Sequence, residues 1–224
     1  MSGTRSTGTH AARLRAALIG VPLAAALLGT AAAPAGAATP AHARPLTCQG
    51  RGVDPDAPVR HRTGIVIDAP LRTVWGLQTD VERWPAWQAP VRTVERLDRG
   101  PLRKGSAFRW TTPLPPNPAT PATGLEITST VRQVENGSCL RWTGPAEAEG
   151  LRIDGVHVWR FTAIRGGGVR VTTEETHGGP QVEANVPFAT EVLRQGLESW
   201  LLDLKAAAEA RAHGGGDDGH GRGR

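Results

Sequence analysis

The stretch GIVIDAPLRTVWGLQTDVERWPAWQ, residues 64–88, reads as a short strand, an Ala69-Pro70 turn, an amphipathic helix and a second short helix ending in Trp84-Pro85-Ala86-Trp87. In the strand, Arg62, Gly64, Val66 and Asp68 alternate with Thr63, Ile65, Ile67 and Ala69, which turns the isoleucines to one face. Pro70 opens the helix at its first position, where a missing N–H costs nothing, and Val74, Leu77 and Val81 form its buried stripe. Asp80 is placed to cap the helix that follows.

Strands and one long helix follow. Val91–Leu97 and Ser106–Thr112 read as strands around the turn Asp98-Arg99-Gly100-Pro101. Residues 113–124 hold five prolines and are assigned to a long loop at the mouth of the sheet. Leu125–Val134 and Cys139–Thr143 flank Asn136-Gly137, a hairpin signal. Taken as a two-residue turn, it pairs Val131 with Trp142 and Gln133 with Leu140. Ile127, Ser129, Val131, Leu140 and Trp142 then share the core face, and Cys139 points outward. Ile153–Ala163 and Val169–His177 form a last hairpin, with His157 opposite Glu175, Trp159 opposite Thr173 and Phe161 opposite Val171. The final helix spans 186–212 behind Asn185 as cap, with a stripe of Phe188, Val192, Leu193, Gly196, Leu197, Trp200, Leu201 and Leu204. Gly196 is expected where the helix passes close to the sheet. The fold class is α+β: a curved antiparallel sheet wrapped around a long C-terminal helix, with room for an apolar cavity between them.

Before residue 44, Arg5, Arg13 and Arg15 precede the apolar run Ala16–Gly29 and a small-residue exit, with no acid anywhere, which reads as a secretory signal peptide over 1–43. The reading implies an extracytoplasmic protein with no stable membrane anchor once the signal is cleaved. Residues 44–60 are read as a linker crossing the surface, 61–212 as the domain and 213–224 as a disordered tail. Without the three signal arginines, 23 basic residues face 21 acidic ones, and the formal charge falls from +5 to +2. The arginines are scattered, so the footprint of a nucleic-acid binder is missing. Cys48 and Cys139 are the only cysteines, and an even count in an exported chain reads as a disulfide, with free or intermolecular thiols as the alternative. The domain is expected to be a monomer.

Seven tryptophans and no tyrosine make an unusual aromatic set. Trp84, Trp87, Trp110, Trp142 and Trp159 could line a ligand cavity or fill the core, and Ser129, His157 and Glu175 share that inner face. Trp75 and Trp200 belong to helix stripes and to the core. His157 and Glu175 are the one inward-facing pair suited to acid–base work, as catalytic residues or as a mutually satisfied polar pair. No Gly-x-Ser-x-Gly turn, phosphate loop or metal-ligand spacing occurs within the domain, so no cofactor and no metal is expected.

Ile67-x-Ala69-Pro70-x-x-x-Val74-Trp75, Thr79-Asp80, Trp84-Pro85-x-Trp87, Phe108-x-Trp110, His157-x-Trp159-x-Phe161, Thr172-Thr173-Glu174-Glu175 and the Trp200-Leu201 helix together resemble the START-like superfamily known as SRPBCC. Within it, the chain is similar to the polyketide cyclase/dehydrase and lipid-transport branch. The resemblance implies a helix-grip fold. It further implies a hydrophobic or aromatic small molecule, lipid or polyketide-like, bound between the sheet and the last helix. The alternative it implies is a cyclase or dehydratase in which His157 is the general base.

Overall fold

The computed structural model describes residues 44–116 and 122–214. The signal-peptide reading over 1–43 and most of the expected tail lie outside them. Seven strands form one antiparallel sheet in the order β1-β7-β6-β5-β4-β3-β2. They are β1 (Val59–Ile67), β2 (Thr93–Arg96), β3 (Ala107–Leu114), β4 (Thr123–Glu135), β5 (Cys139–Ala148), β6 (Leu151–Ala163) and β7 (Val169–Gly178). Helix α1 (Leu71–Thr79) and a 3₁₀ turn (Val81–Ala86) sit between β1 and β2, and α2 (Pro180–Ala184) leads into α3 (Val186–Gly214). This is the expected helix-grip arrangement: α3 lies across the sheet, and Leu193, Leu197, Trp200, Leu201, Leu204 and Ala208 are its buried side.

The last hairpin has the expected register, His157 opposite Glu175, Trp159 opposite Thr173 and Phe161 opposite Val171. In the β4–β5 hairpin, Val131 does pair with Trp142, but Val134 rather than Gln133 faces Leu140. The loop has three residues, 136–138, with Gly137 at φ 69°, and a bulge at Arg132 absorbs the extra residue. Ile127, Ser129, Val131, Leu140 and Trp142 are all buried, because the bulge falls after Val131 and leaves the rest of the face in phase.

Prolines mark two further differences. The loop expected over 113–124 is shorter, since Pro113 and Leu114 continue β3 opposite Gly124 and Thr123. Strand β2 reaches only to Thr111, so Pro113 interrupts no ladder on its open side. Strand β5 likewise continues through Pro145 to Ala148, and its ladder with β4 has no pair between Thr130–Thr143 and Ile127–Ala146.

Three local expectations are corrected. Asp80 makes no side-chain cap bond and instead lies 3.4 Å from Arg83. Gly196 is exposed, with nothing within 4 Å of where a Cβ would sit, so close approach to the sheet does not explain it. Residues 44–60 do not simply cross the surface: β1 begins at Val59, and Leu46 and Cys48 pack with Cys139 and Val158 on the sheet's outer face. Cys48 and Cys139 form the disulfide, and the Leu46 N–H donates to buried Glu174 at 2.9 Å. Asn185 does cap α3, its Oδ1 accepting the Phe188 N–H at 3.2 Å.

Candidate functional site

Ladder register sets the inner face out in rows. His61, Glu175, His157, Trp142 and Val131 lie side by side across β1, β7, β6, β5 and β4. On one side of that row stand Thr63, Thr173, Trp159 and Leu140, and on the other Val59, His177, Gly155 and Gly144. The side with leucine and tryptophan is filled. The side with two adjacent glycines is not built up in the same way.

The filled part is an aromatic cluster. Trp84 and Trp159 are completely buried, Trp142 and Trp200 nearly so. Trp84 meets Trp200 at 4.9 Å and Phe108 at 5.3 Å between ring centroids, both edge to face, and Trp110 at 5.7 Å. His157 lies 4.7 Å from Trp159 and 5.1 Å from Trp142. Trp142, His157 and Trp159 therefore pack against one another. Trp87 and Trp110 are half-buried, and Trp110 donates from its indole to Ser129 Oγ at 3.1 Å. A cleft of about 260 Å³ opens elsewhere, between Thr63, Gly64 and Ile65 of β1 and Glu198, Leu201 and Leu202 of α3.

The cluster is apolar but not satisfied. Gln78 is fully buried, its Oε1 receiving the Trp200 indole N–H at 3.1 Å, while its Nε2 has no acceptor among the described residues. The indole N–H groups of Trp87 and Trp159 are likewise buried without an acceptor, and both rings lie within 6.2 Å of Trp200. Gln88 sends its Nε2 toward the Trp200 carbonyl at 3.4 Å and leaves Oε1 unpaired. An unpaired buried donor costs about 1–3 kcal/mol, so three of them around one tryptophan require a reason.

At the edge of the cluster, Glu175 sits between two imidazoles. His157 Nδ1 is 3.2 Å from Glu175 Oε2, and His177 Nε2 is 3.4 Å from Oε1. Burial pushes the pKa of His157 down to about 4 against the opposing pull of Glu175, so its ring is neutral at pH 7. For Glu175, burial alone would raise the pKa, but His157 and His177 together outweigh it and hold the carboxyl below its ordinary value. A neutral His157 facing a carboxylate carries its proton on Nδ1 and donates it to Glu175. Its Nε2 then accepts from the Thr173 hydroxyl 2.6 Å away. Both ring nitrogens are occupied. Glu175 keeps 18% of its side chain exposed and is the member of the trio that can meet a guest, together with half-buried His177.

Beside it, a Cβ on Gly144 would come within 3.0 Å of Ser129 Oγ, and one on Gly155 within 3.0 Å of the Gly144 carbonyl and 3.6 Å of Glu175 Oε1. A side chain at either position would make these neighbours give way by a few tenths of an ångström. Of the residues singled out in the sequence, Trp84, Trp142 and Trp159 meet in the core, Ser129 joins Trp110, and His157 joins Glu175. Thr173, His177, Gln78 and Gln88 were missed. For His177 a signal existed, since it lies two residues beyond Glu175 on the same face. Gln78 and Gln88 carry none, because nothing in a sequence shows which glutamine a fold will bury.

No helix of the described residues is long and apolar enough to cross a membrane, and no group of three or more His, Cys, Asp or Glu among them is arranged to hold a metal ion. No curated protein sequence matches the chain. Among solved structures, a hypothetical protein from Helicobacter pylori superposes with a TM-score of 0.57 at 18% identity, over 69% of this chain and 90% of that one. A conserved protein from Geobacillus kaustophilus gives 0.55 at 12% identity, over 68% and 97%. The di-domain ARO/CYC StfQ from the steffimycin biosynthetic pathway gives 0.52 at 16%, over 69% of this chain and 52% of that one. At these identities the likeness shows the fold. The sequence itself matches the model of the family described as polyketide cyclase / dehydrase and lipid transport over residues 58–209, from the first strand through most of α3, and on that match the chain belongs to this family.

Proposed function

We infer that this protein works outside the cytoplasm as a binder of a hydrophobic small molecule, lipid or polyketide-like, that carries oxygen acceptors. The observation that carries this reading is the set of buried, unpaired N–H groups on Gln78, Trp87 and Trp159 inside an aromatic cluster. A guest with an apolar body and carbonyl or hydroxyl oxygens relieves those donors, and its hydroxyls can donate to Glu175 at the rim. Because the rings are in contact with one another, binding requires the cluster to part, and Trp87 and Trp110 are its half-buried members. Export is supported by the basic, then apolar, then small-residue order of 1–43 and by the disulfide.

The test is native mass spectrometry and tryptophan fluorescence on the purified protein against a panel of lipids and hydroxylated aromatic polyketides. Binding should shift the emission, and Trp87→Phe, which removes one unpaired donor, should change affinity for the oxygenated members and not for plain hydrocarbons. A protein that retains nothing and shows no spectral change sinks the reading.

The second reading, a cyclase or dehydratase with His157 as general base and Glu175 orienting it, is favoured by the 3.2 Å contact between them. Against it stand the engaged Nε2 and a pKa of about 4, since a base works best with a pKa near the working pH. In this reading His157→Ala abolishes turnover and leaves the fold intact. If the substitution mainly unfolds the protein, His157 is a structural residue.

A further inference from the structure

The outer face of β4 and β5 gathers three arginines. The bulge puts Arg132 and Gln133 on the same side of the sheet, because one extra residue breaks the alternation. Arg132 donates from Nε to Thr143 Oγ1 at 2.9 Å. Arg141, directly across from Gln133, donates from Nη1 to Gln133 Oε1 at 3.1 Å and from Nε to the Gly52 carbonyl at 2.7 Å.

Arg51 is brought in by the N-terminal segment. Cys48 and Arg51 exchange both backbone hydrogen bonds, at 2.9 and 3.0 Å, around Gln49 and Gly50. Their φ angles of 50° and 74° place both central residues in the left-handed region, as a tight hairpin turn of the type I′ class needs. The turn is fixed twice: Cys48 is bonded to Cys139, two residues before Arg141, and Gln49 Nε2 donates to the Val134 carbonyl at 3.1 Å. None of the three arginines pairs with a carboxylate among the described residues. Partial burial and then the charges of Arg132 and Arg51 lower the pKa of Arg141. A guanidinium has five N–H donors, and here most of them remain free.

We propose that Arg51, Arg132 and Arg141 form a binding site for a phosphate or sulfate oxyanion on the outer face of the sheet, completed only when the Cys48–Cys139 disulfide holds the 48–51 turn against β5. Arg132 and Arg141 are held by side-chain and backbone acceptors, the Gly52 carbonyl that Arg141 meets is next in the chain to Arg51, and none of the three makes an ion pair among the described residues, so together they give a local field that a tetrahedral anion neutralises through charge-assisted bonds. The site is on the face opposite the aromatic cluster, so it stands or falls independently of the ligand reading above.

The experiment uses the oxidised full-length protein at low salt. Inorganic phosphate and sulfate are titrated calorimetrically, and vesicles of phosphatidylglycerol or of phosphatidylcholine are sedimented with the protein. Phosphate should bind, and Arg132→Gln and Arg51→Gln should each weaken binding about tenfold, the loss of one charge-assisted bond. Reducing the disulfide should weaken it to the level of Arg51→Gln. Arg83→Gln, at an exposed arginine in the 3₁₀ turn, should leave it unchanged. Retention by phosphatidylglycerol alone assigns the anion to a lipid headgroup, and binding of free phosphate without vesicle retention assigns it to a soluble ligand. The proposal is overturned if neither probe binds, if Arg132→Gln binds like the parent, or if Arg83→Gln weakens binding as much as Arg132→Gln.

Discussion

On the outer face of β7, Glu174 is buried to 1% exposure and receives the Leu46 N–H and the Arg60 guanidinium. Its neighbour on the inner face, Glu175, has two histidines for partners and keeps 18% of its side chain exposed. Successive strand residues face opposite ways, so a pair that looks like a tandem in the sequence is split between two environments. Glu174 fastens the N-terminal segment to the sheet and has little left to offer a ligand. Glu175 is held ionised at the rim of an apolar cluster and has an oxygen to share.

The largest effect should come from releasing the cover over Glu174. Replacing Cys48 and Cys139 together with serine opens a loop of 91 residues. On the chain-entropy view the protein should lose roughly 4–5 kcal/mol in denaturant unfolding. The tryptophan emission of the native state should not move, because the aromatic cluster lies on the other face; a large shift would show that the two faces are coupled.

Acid is the next probe, and it acts on the Glu175 side. His157 is held neutral with a pKa of about 4 against an ordinary 6.5, so in that window the unfolded chain binds a proton that the native state refuses. The stability from this group is fully present above pH 6.5 and is lost as pH falls toward 4, about 3 kcal/mol in all. Glu175, whose pKa is lowered, adds a further loss below its ordinary 4.5. His157→Gln should flatten the profile between pH 6.5 and 4, and an unchanged slope would remove His157 as its source.

Direct exchange of the two carboxyls sharpens the comparison. Glu174→Ala leaves the Leu46 N–H and Arg60 without their acceptor and should cost about 2 kcal/mol by thermal unfolding. Glu175→Gln keeps an acceptor for the His157 Nδ1–H and should cost about 1 kcal/mol or less. The reverse order would contradict the assignment of Glu174 to structure and Glu175 to the site. The smallest effect lies off both faces: Gly196→Ala, at an open and exposed helix position, should stabilise by about 1 kcal/mol.

Much of the fold was legible because it depends on periodicity and turns. Period-two alternation placed Ile127, Val131 and Leu140 inside, and the His157–Glu175 register followed from counting back from the loop at 164–168. The α3 stripe was readable from three- and four-residue spacing. The bulge at Arg132 and the continuation of β3 and β5 through prolines were not, since each depends on whether a neighbouring strand needs that N–H. The site was legible in its residue types and only partly in its state. Sequence identified the tryptophans of the inner face, but whether indoles meet one another or surround a void is a matter of volumes fixed by the whole assembly.

The amino-acid sequence by itself determined the order of the elements, the faces of the strands up to the bulge in β4, and the family, because these depend on local periodicity and turn chemistry. Only the tertiary structure decided that β1 joins β7, that Glu174 is covered while Glu175 is not, that His157 has no free nitrogen, and that Arg141 reaches the Gly52 carbonyl next to Arg51. Those are outcomes of contacts between residues far apart in the chain, and their energies exist only once packing has brought the groups together and excluded water.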